Sequence, residues 1–160
     1  MKNVVLAFLD DLQIDYDFYQ HKAAYTMQDI KDFDQNRDAV YCKNLFLRNA
    51  NGKQHYLAVV IGDKRVDLKT LSSDIKSSRL GFASEKRLMD HLKLKKGHVG
   101  PFGLLNDKNH HVICVLDQDM VGQKRLSFHP NDNTATVVMT YDDFKKCLDT
   151  LGVKVILSAF

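Results

Sequence analysis

Two β-rich runs joined by an Asn-Gly turn constrain the fold of this chain most strongly. The runs are Val40 to Leu47 and Tyr56 to Ile61, and Asn49-Ala50-Asn51-Gly52 lies between them. Asn-Gly readily adopts the left-handed backbone angles that a tight β-turn requires. The sequence therefore predicts a hairpin of two strands near the middle of the chain.

Helices and strands alternate irregularly along the rest of the chain. Periodicity and capping residues predict helices over 2–13, from Thr26 to about Phe33, over 68–75, after Ser84, and from Tyr141 to Leu151 with Gly152 as the stop. Further strands are expected over 16–20, 111–116, 125–128, 134–140 and 153–157. Because strict βαβ alternation is lacking, we predict an α+β (mixed α/β) fold with a largely antiparallel, curved sheet.

Length and composition predict one domain over residues 1–160. The 160 residues carry a formal net charge of +3, which permits a nucleic-acid partner but requires a local basic patch to hold it. Apolar runs are too short for a membrane span, and the N-terminus lacks a signal-peptide pattern. Three dispersed cysteines without a CxxC motif indicate reduced thiols. A cytoplasmic protein without a membrane partner is expected.

The segment Gly97-His98-Val99-Gly100-Pro101-Phe102-Gly103 is the first candidate site. Glycine lets backbone N–H groups approach a ligand, and Pro101 disfavours a helical conformation at Gly100. Such a loop can present donors to a carbonyl oxygen or a developing oxyanion. The alternative is a plain turn between a helix and a strand.

Lys43 and Asn44 form a second candidate site within a β-rich run. Period-two alternation places Lys43 on a mainly apolar face with Tyr41, Leu45 and Leu47, and it directs Asn44 to the opposite face. A lysine there is either an edge residue that opposes aggregation or a functional cation. If both residues serve one site, the strand must bulge or twist, or Asn44 must act through its backbone.

The segment from Phe128 to Thr136 contains the third candidate. His129 can donate a hydrogen bond or relay a proton near neutral pH. Asn133 and Thr134 follow it and are either ligand contacts or turn formers. The other histidines are expected to be surface or satisfied residues, with His98 the least certain because of its place in the glycine loop.

Three lysines directly precede the glycine loop in the sequence. Lys93, Lys95 and Lys96 are suited to bind phosphates, although a solvated helix face is an equal alternative. The chain contains no GxSxG elbow and no HExxH motif or carboxylate cluster. We therefore predict no metal and no cofactor.

Taken together, the motifs closely resemble the prolyl-tRNA editing family, the free-standing aminoacyl-tRNA deacylases of the YbaK/ProX type. The resemblance covers nearly the whole chain and rests on an HxxxxT segment from His21 to Thr26, the run Lys43-Asn44-Leu45-Phe46-Leu47, the GxxxP loop, and the run from His129 to Thr136. It looks most like the branch that deacylates alanyl-tRNA(Pro). It implies a mixed, curved, barrel-like sheet flanked by helices.

The resemblance also implies roles for single residues and needs no metal or cofactor. It gives catalytic roles to Lys43, Gly97, Val99, Gly100, Pro101 and His129, substrate-binding roles to Asn44, His21, Thr26, Phe102, Asn133 and Thr134, and tRNA contacts to Lys93, Lys95 and Lys96. The attacking group would be the ribose hydroxyl beside the ester. This assignment fits the lack of a recognisable protein nucleophile.

The expected activity is trans-editing, the hydrolysis of the ester in mischarged Ala-tRNA(Pro). The expected partner is the mischarged tRNA, with a prolyl-tRNA synthetase or an elongation factor as candidate protein partners and no role for DNA. Two alternatives stay open. The chain could deacylate another small residue, such as cysteine or serine, or it could be a non-catalytic sensor of aminoacyl-tRNA or amino acids.

Overall fold

A computed structural model of the chain describes residues 2–23, 28–29 and 38–160. The helices are α1 (Lys2–Asp11), α2 (Leu68–Asp74), α3 (Glu85–Leu92) and α4 (Tyr141–Leu151), with 3-10 turns at Pro101–Asn106 and Gln118–Met120. The strands are β1 (Asp17–Gln20), β2 (Val40–Arg48), β3 (His55–Ile61), β4 (Gly81–Phe82), β5 (Ile113–Asp117), β6 (Leu126–Phe128), β7 (Ala135–Met139) and β8 (Val155–Ser158). Of the helix expected from Thr26 to about Phe33, only Gln28 and Asp29 are among the described residues, and both are helical.

Local capping explains where the helices begin and end. The side chain of Ser84 accepts a hydrogen bond from the N–H of Arg87 at the start of α3, and Thr140 caps α4 in the same way. Gly152 follows α4 in the left-handed conformation, with φ of 73°, as a C-terminal glycine stop requires. The predictions for these two helices are confirmed.

Within the described residues, eight strands form one mixed sheet in the order β1-β7-β6-β2-β3-β5-β8, with β4 paired to β2. The hairpin expected around Asn51-Gly52 is present, because β2 and β3 pair antiparallel from Cys42 with Ile61 to Arg48 with His55. The strands β6 and β7 also pair antiparallel, as predicted. The mixed α/β class with flanking helices is thus confirmed.

The sheet is less antiparallel than the sequence predicts. The pairs β2/β6, β3/β5 and β5/β8 are parallel. Parallel neighbours require long crossover connections, and helices α2 and α3 lie between β3 and β5 while α4 lies between β7 and β8. Local patterns in the sequence do not reveal which distant strands such crossovers bring together.

Apolar side chains pack on both faces of the sheet. On one face, Leu9 of α1 and Phe144 of α4 join Val59 of β3 in the main core, and all three are fully buried. On the other face, Leu71 of α2 packs in a smaller cluster with Ala58. Strand β3 thus contributes alternate side chains to two environments.

The helices of the described ranges are short in relation to the thickness of a lipid bilayer. Across residues 2–23, 28–29 and 38–160, no helix is both long enough and apolar enough to span a membrane.

Candidate active site

The register of the sheet defines a polar face beside the small cluster. Tyr41 pairs with Ser127, whereas their neighbours Val40 and Leu126 pair with each other. Leu126 is fully buried in the main core, so Tyr41 and Ser127 lie on the opposite face. Lys43 shares the face of Tyr41 because side chains two residues apart in a strand point the same way.

Lys43 is held by the connection between β3 and α2. Its Nζ donates a hydrogen bond to the backbone carbonyl of Lys64, and its side chain is half-buried. The hydroxyl of Tyr41 donates to the Asp63 carboxylate in the same connection. An ammonium group has three donors, so Lys43 is positioned by one bond and keeps donors for an anionic ligand.

Asn44 lies on the other side of the strand from Lys43. It lines a cleft of about 490 Å³ together with Val99 and Lys96. Its Oδ1 is buried and has no hydrogen-bond partner among the described residues. The register of β2 against β3 runs without a bulge from Cys42 to Arg48. The side chains of Lys43 and Asn44 therefore lie on opposite faces of β2 and not in one site.

The glycine loop is shorter than the sequence predicts. Gly97 has φ of 88°, in the left-handed region, and Gly100 is extended with φ of −163° and ψ of 166°. Pro101 then begins a 3-10 helix that continues to Asn106, and the N–H of Gly103 donates to the Gly100 carbonyl. The effect expected of Pro101 on Gly100 is present, but Gly103 belongs to the following helix.

The loop presents a row of unpaired backbone donors. The N–H of His98 donates to the Lys95 carbonyl at 3.0 Å. Among the described residues, the N–H groups of Gly97, Val99 and Gly100 have no protein acceptor. Because backbone N–H groups normally find an acceptor, such a row is suited to bind a carbonyl oxygen or an oxyanion.

His129 lies against this loop with a defined tautomer. A Cβ atom on Gly100 would lie 3.3 Å from the His129 carbonyl oxygen. The Nδ1 of His129 lies 3.0 Å from the Ala135 carbonyl, which can only accept, so Nδ1 carries the proton and Nε2 of the neutral ring is an acceptor. Burial lowers the pKa of His129, against the opposing effect of this hydrogen bond. The ring is therefore neutral at pH 7.

His21 joins the same face of the sheet. Its Nε2 lies 2.8 Å from Oγ1 of Thr136, and its Nδ1 lies 2.7 Å from the Lys22 carbonyl. The rings of His21 and His129 are 6.3 Å apart between centroids. The structure therefore brings together two of the histidines that the sequence assigns to the site.

The turn after His129 uses most of its polar groups internally. The N–H and Oγ1 of Thr134 both donate to the Asp132 carboxylate, at 2.8 and 2.6 Å. Asn133 is only 3% exposed. Thr134 thus acts in this structure as a turn former, the alternative that the sequence left open.

Phe102 and Thr26 do not contribute a described side chain to the site. Phe102 is 2% exposed and packs edge-on against Phe128 and Phe144 in the main core. Its carbonyl accepts a hydrogen bond from the Asn131 side chain at 3.2 Å, which ties the 3-10 helix to the turn after His129. Thr26 lies outside the described residues.

Exposed lysines surround the glycine loop. Lys93, Lys95 and Lys96 are all exposed. Lys93 and Lys95 border a depression with His98, whereas Lys96 borders the cleft that contains Asn44. The basic segment therefore contributes positive charge on both sides of the loop.

Two of the three cysteines are unsuited to nucleophilic attack. Cys42, Cys114 and Cys147 are buried and form no disulfide among the described residues, in agreement with the reduced thiols that the sequence predicts. Burial raises the pKa of Cys114 to about 12, and burial followed by the nearby Asp143 raises the pKa of Cys147 to about 12. Neither of these thiols is a thiolate at neutral pH.

Three histidines that the sequence predicts to be surface or satisfied residues form a cluster. His55, His91 and His111 place one ring nitrogen each within 4.8 Å of one another. They are far apart along the chain, so spacing gives no signal. The tertiary structure brings them together, because His55 is the first residue of β3 and His111 precedes β5, the parallel neighbour of β3.

Known proteins are similar to this chain in sequence and in fold. The model of the aminoacyl-tRNA editing domain matches residues 21–147, which include the polar face, the glycine loop and His129. The chain belongs to this family. The resemblance stated from the motifs is thereby confirmed.

Two relatives illustrate the breadth of the family. The prolyl-tRNA editing protein ProX of Acetoanaerobium sticklandii is 46% identical over 151 residues, which cover 94% of this chain and 92% of that protein. The prolyl-tRNA synthetase associated domain-containing protein 1 of Xenopus laevis is 31% identical over 156 residues, covering 95% and 92%.

Two solved structures agree in fold at low sequence identity. A candidate trans-editing enzyme for prolyl tRNA synthetase superimposes with a TM-score of 0.69 at 20% identity, covering 96% of this chain and 93% of that one. A hypothetical protein of known crystal structure gives a TM-score of 0.74 at 15% identity, covering 98% and 97%. The mixed sheet with flanking helices is thus shared by both.

Proposed function

We propose that this protein is a trans-editing hydrolase that removes alanine from mischarged Ala-tRNA(Pro). The observation that carries the proposal is the set of unpaired N–H groups at Gly97, Val99 and Gly100, the last of which lies against the His129 carbonyl. Ester hydrolysis passes through a tetrahedral oxyanion, and preorganised backbone donors stabilise it. Membership of the aminoacyl-tRNA editing family supports an ester at the 3′ end of tRNA as the substrate.

Lys43 and His129 have complementary proposed roles on the polar face. Lys43, held by the Lys64 carbonyl, would bind the phosphate or terminal nucleotide and position the ester. His129 presents an unprotonated Nε2 that can accept a hydrogen bond from a ribose hydroxyl. His21, whose Nε2 contacts Thr136, lies on the same polar face.

The attacking group in this proposal is the ribose hydroxyl next to the ester. The buried thiols of Cys114 and Cys147 support it, because neither is ionised at neutral pH. We propose that Asn44 acts indirectly, because its side chain lies on the opposite face of β2 from Lys43. There it borders the same cleft as Val99 of the glycine loop. Thr26, Asn133 and Pro101 remain proposed site residues on the strength of the family motifs.

Size exclusion explains why such an enzyme is needed. A synthetase pocket for proline rejects the smaller alanine weakly, because each missing methylene is worth only about 1–3 kcal/mol. A second site too small for proline removes the error. The buried thiols, which form no disulfide among the described residues, and the family membership also support our proposal that this reaction occurs in the cytoplasm.

The proposed substrate is tested by hydrolysis of Ala-tRNA(Pro), Cys-tRNA(Pro), Ser-tRNA(Pro) and Pro-tRNA(Pro) under identical conditions. We expect rapid loss of alanine and no loss of proline, because the proline ring does not fit. Release of cysteine or serine in preference to alanine would replace the proposed amino acid but keep the reaction. Binding of the tRNA without hydrolysis of any ester would favour the sensor alternative.

The role of the basic segment in tRNA binding is tested by replacing Lys93, Lys95 and Lys96 with glutamine together. We expect weaker tRNA binding and a shallower dependence of log affinity on log salt concentration, by up to about 0.9 for each phosphate that the variant no longer binds. The measurement is a filter-binding titration at several salt concentrations.

The matched control is a second triple variant that loses three lysines away from the glycine loop. Lys69, Lys108 and Lys124 are exposed and lie outside the loop region, so their joint replacement by glutamine should lower affinity far less. Equal losses in the two triple variants would mean that only the net charge matters. The tRNA would then not follow the basic segment.

A further inference from the structure

We propose that His55, His91 and His111 form a binding site for a divalent transition-metal ion, with zinc as the physiological candidate. One ring nitrogen from each residue lies within 4.8 Å of the other two. Imidazole is a common ligand of zinc, cobalt, nickel and copper, and three such ligands plus one water complete a tetrahedral site. The inference does not depend on the proposed hydrolase function.

The three residues are held on rigid elements. His55 is the first residue of β3, His91 is in the last turn of α3, and His111 immediately precedes the buried Val112 before β5. Strands β3 and β5 pair parallel from Tyr56 onward, so the ends carrying His55 and His111 are adjacent. The core packing of α3 and the sheet thus fixes the cluster.

The geometry is close to that of a tri-histidine site. Nδ1 of His55 lies 2.8 Å from Nε2 of His111. The ring centroids are 4.2 Å apart for His55 and His91, and 4.6 Å apart for His91 and His111. Ligand nitrogens in a tetrahedral site with bonds of about 2.0–2.1 Å lie about 3.4 Å apart. That spacing lies between the 2.8 Å of this pair and the 4.8 Å that bounds the whole cluster.

Burial and the proximity of the rings act on two members of the cluster. Burial, followed by the nearby His91 and His111, lowers the pKa of His55 to about 4. Burial, followed by His111, also lowers the pKa of His91, with a smaller opposing effect from Asp107. Both shifts reflect how closely the rings of His55 and His91 pack within the cluster.

The surroundings of the cluster orient the rings. Phe46 stacks on His55, with ring centroids 5.4 Å apart and an interplanar angle of 16°. Arg87 Nη1 lies 3.1 Å from Nε2 of His55 and donates to the Gly52 carbonyl at 2.8 Å. Ligation through Nδ1 of His55 moves the ring proton to Nε2. Arg87 then keeps its bond to Gly52 and turns away from the ring.

The position of the cluster indicates a structural role. His55 lies five residues along β3 from Val60, the partner of Lys43, and this corresponds to about 17 Å. Helix α3, which carries His91, leads through Lys93–Lys96 into the glycine loop. A bound ion would therefore fasten the helix before the loop to the sheet without touching the polar face.

The test uses the untagged full-length protein, stripped of metal with a chelator and titrated with Co²⁺ as a spectroscopic probe. We expect one Co²⁺ per chain with the visible absorption of a tetrahedral site, displacement of Co²⁺ by Zn²⁺, and a higher Tm with Zn²⁺. No saturable cobalt spectrum and no change in Tm would overturn the proposal.

Substitutions of single histidines test whether the cobalt ion binds at the cluster. His111→Asn and His91→Gln should each weaken cobalt binding at least about 100-fold, since each removes one of three ligands. Both side chains are half-buried, so circular dichroism can show that the variants fold. The matched control is His110→Asn, because His110 is exposed, lies outside the cluster and has φ of 54°, which asparagine accepts. Equal affinities in His111→Asn and His110→Asn would overturn the assignment.

Discussion

Lys43→Ala is expected to lower kcat/KM for deacylation of Ala-tRNA(Pro) by about 100-fold or more, the usual effect of removing one preorganised electrostatic interaction in an active site. The half-buried ammonium is positioned by the Lys64 carbonyl on the polar face of the sheet. Alanine removes both the charge and this anchoring. The measurement is the rate of release of labelled alanine from Ala-tRNA(Pro) under single-turnover conditions.

The effect must be separated from unfolding and from a general change of charge. Lys69→Ala removes an exposed lysine from α2, and it should keep the wild-type rate. Tm and circular dichroism of the Lys43 variant should stay close to those of the wild type, because Lys43 lies on the face of β2 opposite the main core. A rate for Lys43→Ala within about threefold of wild type would remove this residue from the proposed mechanism.

Gly100→Val is expected to reduce deacylation by about 100-fold or more through displacement of the donor row. Gly100 is buried and extended, and a Cβ atom there would lie 3.3 Å from the His129 carbonyl oxygen. Valine adds two further methyl groups beside this carbonyl, while Pro101 restricts how the backbone can adjust. The N–H groups of the loop would then move away from His129. The same deacylation assay measures the effect.

The matched control for this change is Gly81→Val. Gly81 lies in β4, and a Cβ atom there would meet no other atom within 4 Å. Because valine favours extended backbone, this variant should fold and retain activity. A Gly100→Val variant that folds and is as active as Gly81→Val would show that the glycine segment is only a turn.

Local sequence patterns were sufficient for most elements of the fold. The turn at Asn51-Gly52, the cap at Ser84 and the stop at Gly152 each lie at the predicted place. These signals depend on the backbone preferences of a few neighbouring residues, so they are readable without the rest of the molecule. The parallel partners of β2 and β5 were not predicted, because such pairings depend on distant segments.

The candidate site was predictable only where its chemistry is local. The loop from Gly97 to Pro101 was identified from its composition, and the opposite directions of Lys43 and Asn44 followed from the period of a strand. The place of Phe102 in the core was not predictable, since it depends on the positions of Phe128 and Phe144.

The sequence by itself therefore determined the elements, the mixed α/β class and the motifs that mark the family, because each is encoded within a short stretch of chain. Only the tertiary structure decided which side chains meet. It placed His21 beside His129, set Gly100 against the His129 carbonyl, and gathered His55, His91 and His111. The physical reason is that sheet register and core packing, not spacing along the chain, fix the distances between groups far apart in sequence.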